Sequence, residues 1–94
     1  MKVISRKVIV DYVKKHADVR QALLSWYSEA RSSVWKTPQD IKERYSSARF
    51  IGDNTVIFNI KGNKYRLVAK IAYKTKTVLI KWVGTHAEYD KQKF

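Results

Sequence analysis

The chain contains no cysteine, a single proline and only three glycines, and each shortage excludes a class of protein. Without cysteine there is no disulfide framework, no thiolate zinc site, no iron–sulfur cluster and no cysteine nucleophile. The scarcity of proline and glycine argues against a flexible linker or a low-complexity segment. No apolar run approaches the roughly 20 residues of a membrane span, and charged residues interrupt the N-terminal segment where a signal peptide needs an apolar core. These absences predict a soluble, cytoplasmic protein.

The composition that remains is that of a folded chain. Of the 94 residues, 45% are hydrophobic and 13% are aromatic, which is enough to fill a compact core. A chain of this length has room for one core rather than two. We therefore predict a single domain over residues 1–94.

The formal net charge of +12 points to a polyanionic partner. Residues 1–47 carry ten basic and five acidic side chains, whereas residues 48–94 carry ten basic and only three acidic ones. In a cytoplasm the abundant polyanions are nucleic acids, so the second half is the better candidate for an RNA or DNA face. The alternatives are a solubility device and attraction to a membrane surface. A membrane binder would concentrate its lysines on one amphipathic helix, and here they are spread along the chain.

The spacing of apolar residues predicts helices first and strands afterwards. After a short edge strand at residues 1–4, the 3.6-residue period favours helices over 6–16 and 18–32. Thr37 as N-cap and Pro38 in the first turn predict a third helix, up to residue 45. From residue 48 the period changes to two, and strands are predicted at 49–51, 55–60, 65–73 and 77–83. The expected fold is α+β, with N-terminal helices packed on a small antiparallel β-sheet.

Alternation along these strands separates a core face from a cationic face. On the strand at 65–73, the predicted core residues are Tyr65, Leu67, Ala69, Ile71 and Tyr73. On the strand at 77–83, Val78, Ile80 and Trp82 are expected on one face and Lys81 and Val83 on the other. The opposite surface would carry a cationic group suited to phosphate, namely Asn59, Lys61, Arg66, Lys70 and Lys81. The alternative interpretation is ordinary solvated strand charge.

The segment 84–91 is the most distinctive part of the chain. If it is helical, His86 lies next to Tyr89 at i+3 and next to Asp90 at i+4. A histidine oriented by a carboxylate, beside a phenol and cations, suits proton transfer without a metal. The alternative is a C-terminal cap in which Tyr89 packs on the sheet. The other histidine, His16, is expected at the end of the first helix, where its charge would favour the helix dipole.

Two further stretches resemble a known family. Residues 56–69 read as a Phe-Asn strand, a Gly-Asn turn and an Arg-Leu-Val-Ala strand, and residues 83–91 contain the closing Thr-His-Ala-Glu-Tyr-Asp. Together they resemble the HigB toxin family, a branch of the RelE-like ribonuclease toxins of type II toxin–antitoxin systems. The resemblance covers nearly the whole chain and implies an antiparallel sheet packed on N-terminal helices.

The resemblance also implies a function. Such a protein would be an endoribonuclease that cuts mRNA on the translating ribosome and uses no metal or other cofactor. Its partners would be a HigA-like helix-turn-helix antitoxin, mRNA and the ribosome, with operator DNA bound only through the antitoxin complex and no membrane contact. A non-catalytic RNA-binding or ribosome-associated protein remains the alternative. A DNA-binding module is disfavoured because no recognition helix stands out.

Residue roles follow from joining this resemblance to the chemistry of RNA cleavage. The expected catalytic residues are Arg66, which would stabilise charge on the phosphorus centre, and His86 and Tyr89, which would transfer protons. Asp90 would orient His86. The expected RNA- and phosphate-binding residues are Asn59, Lys61, Asn63, Lys70, Lys81 and Lys91. Which proton-transfer group is the base and which is the acid stays open.

Overall fold

The computed structural model describes residues 1–92, so the last two residues of the predicted 1–94 domain lie outside the described residues. Within the described part most strands follow the helices, which confirms the predicted α+β class. In chain order the elements are β1 (Lys2–Ile4), α1 (Arg6–Val13), a 3₁₀ helix (Ala17–Val19), α2 (Arg20–Ser32), α3 (Pro38–Arg44), β2 (Arg49–Phe50), β3 (Thr55–Ile60), β4 (Tyr65–Ala72), β5 (Thr77–Thr85) and α4 (His86–Asp90).

The first helix is shorter than predicted, and the residues that follow it contact Tyr65 of β4, whose ring lies 6.5 Å from that of His16. Helix α1 ends at Val13, and the prediction that it reaches residue 16, with His16 at its C-terminal end, is wrong. The His16 ring instead stacks on the Tyr12 ring, with 4.1 Å between the ring centroids. Asp18 likewise lies in the 3₁₀ helix, before α2 begins, and its carboxylate accepts a hydrogen bond of 2.6 Å from the Tyr65 hydroxyl. That bond lowers the pKa of Asp18 below its ordinary value.

The third helix begins as its sequence predicts. The Thr37 hydroxyl accepts a hydrogen bond from the Asp40 backbone N–H at 3.4 Å, and the Asp40 carboxylate accepts one from the Thr37 backbone N–H at 3.2 Å. Pro38 occupies the first turn, where no backbone donor is needed. Among the helices of residues 1–92, none combines the length and apolar composition needed to cross a bilayer.

The sheet has five strands in the order β1-β5-β4-β3-β2. Strands β2 to β5 form the predicted antiparallel meander, with Asn59 opposite Arg66 and Val68 opposite Trp82. The expectation of a purely antiparallel sheet is wrong for β1, which pairs with β5 in parallel. The helices and strands β2 to β4 lie between β1 and β5 in the sequence, and β1 runs beside β5 in the same direction. The sheet is therefore mixed.

The helices cover one face of this sheet and enclose the main core. The core residues predicted on β4 are confirmed there: Tyr65 is 7% exposed and Leu67, Ala69 and Ile71 are fully buried, while Tyr73 packs against the core from its edge. An aromatic group centred on Phe58 joins the helices to the sheet. Its ring centroid lies 5.2 Å from those of Trp26 and Tyr45 and 6.0 Å from that of Trp35.

A β-bulge in β5 changes which residues face the core. Val68 of β4 pairs with Trp82, whereas the next residue, Ala69, pairs with Ile80, so Lys81 is the extra residue. The insertion reverses the alternation that follows it. Val83 therefore belongs to the core at 7% exposure, and Trp82 lies on the face away from the helices. The prediction that Trp82 shares the core face with Ile80, and that Val83 does not, is wrong for this reason.

Helix α4 is attached to the rest of the chain by its N-terminal residues. The Glu88 backbone N–H donates to the Thr85 hydroxyl at 3.1 Å, and the Thr85 N–H donates to the Glu88 carboxylate at 2.7 Å. The same carboxylate accepts a hydrogen bond of 3.2 Å from the Tyr12 hydroxyl of α1, and the His86 N–H donates to the Lys64 carbonyl at 2.9 Å. The hydrogen bond from Thr85 lowers the pKa of Glu88, and burial, followed by the nearby Glu88 charge, raises that of Tyr12.

The aromatic group predicts a large loss of stability on truncation at its centre. Replacing Phe58 with alanine should lower the free energy of unfolding by about 3–5 kcal/mol, because a cavity opens among three rings. Urea unfolding followed by fluorescence measures this. Phe50→Ala is the matched control: Phe50 is 40% exposed on edge strand β2, and its loss should cost no more than about 1 kcal/mol. Equal losses in the two variants would contradict the packing described.

The attachment of α4 predicts a pH-dependent stability. Because the Glu88 pKa is lowered in the folded protein, its contribution is present above the unfolded carboxyl pKa and is lost as pH falls through the folded pKa. Wild type should therefore be more stable than Glu88→Gln at pH 7, and urea unfolding should show this difference shrinking as pH falls below the ordinary glutamate pKa. Glu43→Gln, at an exposed glutamate of α3, should show no such pH-dependent difference. A Glu88→Gln difference that is constant with pH would contradict the assignment.

Candidate functional site

The sheet face turned away from the helices, which we call the open face, carries its side chains in three cross-strand rows. The row nearest α4 consists of Asn59, Arg66 and Gly84; the middle row of Arg49, Ile57, Val68 and Trp82; and the far row of Thr55, Lys70, Leu79 and Ile4. Of the group predicted for the cationic face, Asn59, Arg66 and Lys70 occupy these rows, and Lys81 lies at the bulge.

The middle row supplies an apolar floor. Ile57 is 1% exposed and Val68 is fully buried, although both point away from the main core. Longer side chains flank them on the neighbouring strands, with Arg49 paired to Ile57 and Trp82 to Val68. A polar group in the adjacent row is therefore partly removed from water, which strengthens its interaction with any charged ligand.

Arg66 and Asn59 are the polar groups that this floor desolvates. Arg66 is only 8% exposed; one terminal nitrogen donates a 3.4 Å hydrogen bond to the Asn63 side-chain oxygen, and its Cζ lies 5.1 Å from the centre of the Tyr89 ring. Its Nε is buried with no hydrogen-bond partner among the described residues. The side-chain oxygen of Asn59, directly across the β3–β4 ladder, is in the same situation. A buried donor and a buried acceptor thus stand unpaired on opposite residues of the β3–β4 ladder, where a bound water or a ligand group would satisfy them.

Helix α4 brings the C-terminal candidates to the same end of the sheet. The predicted helical contact is confirmed: the His86 Nδ1 and an Asp90 carboxylate oxygen are 3.4 Å apart. Tyr89, on the neighbouring side of the helix, lies over Arg66 and contacts the Trp82 ring at a centroid distance of 6.1 Å. The structure therefore pairs His86 with Asp90 and Tyr89 with Arg66.

The remaining predicted phosphate-binding lysines differ in their surroundings. The Lys61 ammonium donates to the Asp18 carbonyl at 2.9 Å and lies 3.5 Å from its carboxylate, so it points along the turn to the 3₁₀ helix. Lys70 pairs with Asp53 at 3.0 Å. Lys81 lines a shallow depression of about 180 Å³ together with Asp53 and Thr55, and Lys91 is exposed just after α4.

Three residues at or near the site were missed in the sequence. Glu88 could have been found, because Thr-x-x-Glu is a capping-box pattern and residues 85–88 match it. Arg49 depends on the pairing of a two-residue strand, and Trp82 on the bulge at Lys81, and neither has a local signal. Within the part of the chain that the structure describes, no three His, Cys, Asp or Glu side chains form a group that could hold a metal ion.

Comparison with known proteins assigns the chain to a family. The model of the HigB toxin family, described as the RelE-like toxic component of a toxin–antitoxin system, matches residues 19–92. The mRNA interferase toxin HigB of Escherichia coli K12 is 27% identical over 93 residues, which cover 96% of this chain and 88% of the relative. The mRNA interferase HigB of Shigella flexneri gives the same values, and that of Escherichia coli O6:H1 is 27% identical with 97% and 90% covered. Since the family model spans most of the chain, including β4, β5 and α4, this protein belongs to the HigB toxin family of RelE-like toxins.

Proposed function

We propose that this toxin is an endoribonuclease that cleaves mRNA on the translating ribosome, in the cytoplasm and without a metal ion. The relatives named mRNA interferase support the substrate class. The observation that carries the proposal concerns Arg66 Nε and Asn59 Oδ1, on paired residues of β4 and β3, which are both buried without a hydrogen-bond partner among the described residues. The Tyr89 ring lies over the Arg66 guanidinium. A guanidinium donor next to an amide acceptor matches what an RNA backbone offers at one linkage, a phosphate oxygen and a ribose 2′-hydroxyl.

The reaction that suits this site is in-line transesterification. The 2′-oxygen attacks the adjacent phosphorus, the bond from phosphorus to the 5′-oxygen breaks, and the products are a 2′,3′-cyclic phosphate and a 5′-hydroxyl. One group must accept the proton of the 2′-hydroxyl and another must give a proton to the leaving 5′-oxygen. Negative charge increases on the phosphoryl oxygens in the transition state. Arg66, already desolvated, is placed to stabilise that charge through its planar fork of donors.

His86 and Tyr89 are the proposed proton-transfer groups. Asp90, 3.4 Å from His86 Nδ1, would orient the imidazole so that its other nitrogen faces the substrate. His86 serves as base or acid, and Tyr89 serves as acid or as a residue that orients the substrate. The contact between the Tyr89 ring and the Arg66 guanidinium, with 5.1 Å from Cζ to the ring centre, supports a role for Tyr89 next to the proposed phosphate-binding donor.

The outlying polar groups would hold the RNA strand on either side of the cut. Lys61 and Lys70 already pair with Asp18 and Asp53, so a phosphate would compete with a carboxylate at each. Lys81 and Lys91 are exposed and would contribute salt-dependent attraction without this competition. Asn63 would keep Arg66 in place through the hydrogen bond that it accepts.

Membership of a toxin–antitoxin family implies an antitoxin partner. We propose that this partner is a HigA-like helix-turn-helix protein, that operator DNA is bound only through the complex, and that no membrane is involved. The +12 charge of the toxin predicts that the antitoxin contacts it through an acidic segment.

Removal of Arg66 should abolish most of the activity. We expect Arg66→Ala to lower the rate of mRNA cleavage about a hundred- to a thousandfold, because the transition-state charge loses its nearest donor. Arg66→Lys, which keeps the charge but not the fork, should remain at least about tenfold impaired. Cleavage in a reconstituted translation reaction and growth after induction measure both. Lys7→Ala, an exposed cation on α1, is the control and should cleave like wild type. Equal toxicity of wild type, Arg66→Ala and His86→Ala would contradict a catalytic role.

The chemistry of the product ends tests the mechanism directly. Attack by the 2′-hydroxyl predicts 5′-hydroxyl and 2′,3′-cyclic phosphate ends, which can be identified by end-specific ligation and sequencing of the cut transcripts. The same transcript should be cut when it is translated and spared when it is offered without ribosomes. Ends bearing a 5′-phosphate would contradict the proposed mechanism, and equal cutting of the free transcript would contradict the ribosome requirement. Binding without cleavage would favour the non-catalytic RNA-binding alternative.

A further inference from the structure

Trp82 differs from the other two tryptophans of the chain. Trp26 and Trp35 are each 3% exposed and belong to the main core, whereas Trp82 is partly exposed on the open face. Tryptophan combines a large apolar surface with a polar N–H, so a partly exposed Trp82 on a cationic surface offers a ring face for a ligand to contact.

The backbone holds the Trp82 ring beside the Arg66 row. A Cβ atom built on Gly84 would lie 2.3 Å from Cη2 and 2.5 Å from Cζ2 of Trp82, so the ring occupies the space that any other residue at position 84 would fill. Gly84 is the cross-strand partner of Arg66. The bulge turns Trp82 to this face, and the missing side chain at Gly84 lets its ring lie along the strand toward Arg66.

Tyr89 contacts both Arg66 and Trp82. Its ring lies over the Arg66 guanidinium at 5.1 Å and is tilted by 56° from the Trp82 ring at 6.1 Å. Arg66, Tyr89 and Trp82 thus form a continuous series in which the phosphate-binding donor is followed by aromatic surface. Single-stranded RNA likewise carries a base next to each phosphate. A protein surface with a cation next to a ring is the common means of holding such a strand.

We propose that Trp82 is the stacking surface for a nucleobase next to the cleaved phosphate and contributes to the nucleotide preference of the toxin. This role rests on the proposed endoribonuclease function and extends it. Stacking tolerates every base but grows with the area of the base, so a purine is favoured at this one position. Arg66 is next to this ring and has a buried Nε with no hydrogen-bond partner among the described residues. A cation beside an aromatic surface favours an RNA strand, which offers a phosphate and a base, over an acidic protein segment, which offers carboxylates alone.

The experiment compares variants that separate the aromatic face of Trp82 from its bulk. Trp82→Phe keeps a ring, and Trp82→Leu keeps apolar volume over Gly84 without one. Cleavage sites and kcat/KM are measured on translated transcripts, and urea unfolding confirms that both variants fold. We expect Trp82→Leu to lower kcat/KM about tenfold and to weaken the purine preference at one fixed position from the cut, and Trp82→Phe to retain most of both. Leu79→Ala, a partly exposed apolar residue of the far row of the same strand, is the matched control and should behave as wild type.

A second measurement identifies the base. Transcripts that lack the base at one position around the cut are offered to wild type and to Trp82→Leu. One abasic position should slow wild type about tenfold and leave Trp82→Leu almost unaffected. If Trp82→Leu cuts with wild-type rate and preference, or if abasic positions slow both proteins equally, the stacking role is overturned. A loss of antitoxin binding with cleavage unchanged would assign the residue to the antitoxin instead. Absence of any cleavage by wild type would overturn the proposed function itself.

Discussion

The burial of one arginine governs the arrangement of the open face. Arg66 lies in a row next to the apolar floor of Ile57 and Val68, and a charge in such surroundings is costly unless neighbouring groups compensate it. The structure supplies part of that compensation, through the Asn63 oxygen and the face of the Tyr89 ring. The Asn59 oxygen, across the β3–β4 ladder, stays unpaired. Among residues 1–92 no carboxylate pairs with Arg66, and the RNA phosphate of the proposed function would take that place.

The features that could be predicted from the sequence are those with local causes. The run of β-branched residues marks β3 with its observed bounds, Thr55–Ile60, and Thr37 with Pro38 marks the start of α3. The helical contact between His86 and Asp90 follows from a four-residue spacing and is confirmed. Each depends on neighbours within a few residues, so periodicity and capping rules suffice. The catalytic roles given to Arg66, His86 and Tyr89 came from the chemistry of these side chains together with the family resemblance, and they stay predictions.

The features that could not be predicted have distant causes. Helix α1 stops at Val13, and Tyr65 contacts the residues that follow it: its ring lies 6.5 Å from the His16 ring, and its hydroxyl donates to the Asp18 carboxylate from 47 positions away. A count of charges likewise treats every lysine as a free cation. The fold instead pairs Lys61 with that same aspartate and Lys70 with Asp53, so formal charge overstates the number of free cations in the predicted phosphate-binding group. Contacts between residues far apart in the chain outweighed local tendencies at each of these places.

The bulge in β5 also limits how this strand can change in length during evolution. Because Lys81 is the extra residue of the bulge, its deletion would make Ile80 and Trp82 consecutive and leave both on their present faces. Removal of another residue of this stretch is different: loss of Leu79 would turn either Val78 out of the core or Trp82 into it. An insertion in the neighbouring 73–76 turn carries no such cost, since it precedes the paired residues. Alignments of related toxins should therefore place their gaps in that turn or at the position of Lys81, and not elsewhere between Val78 and Gly84.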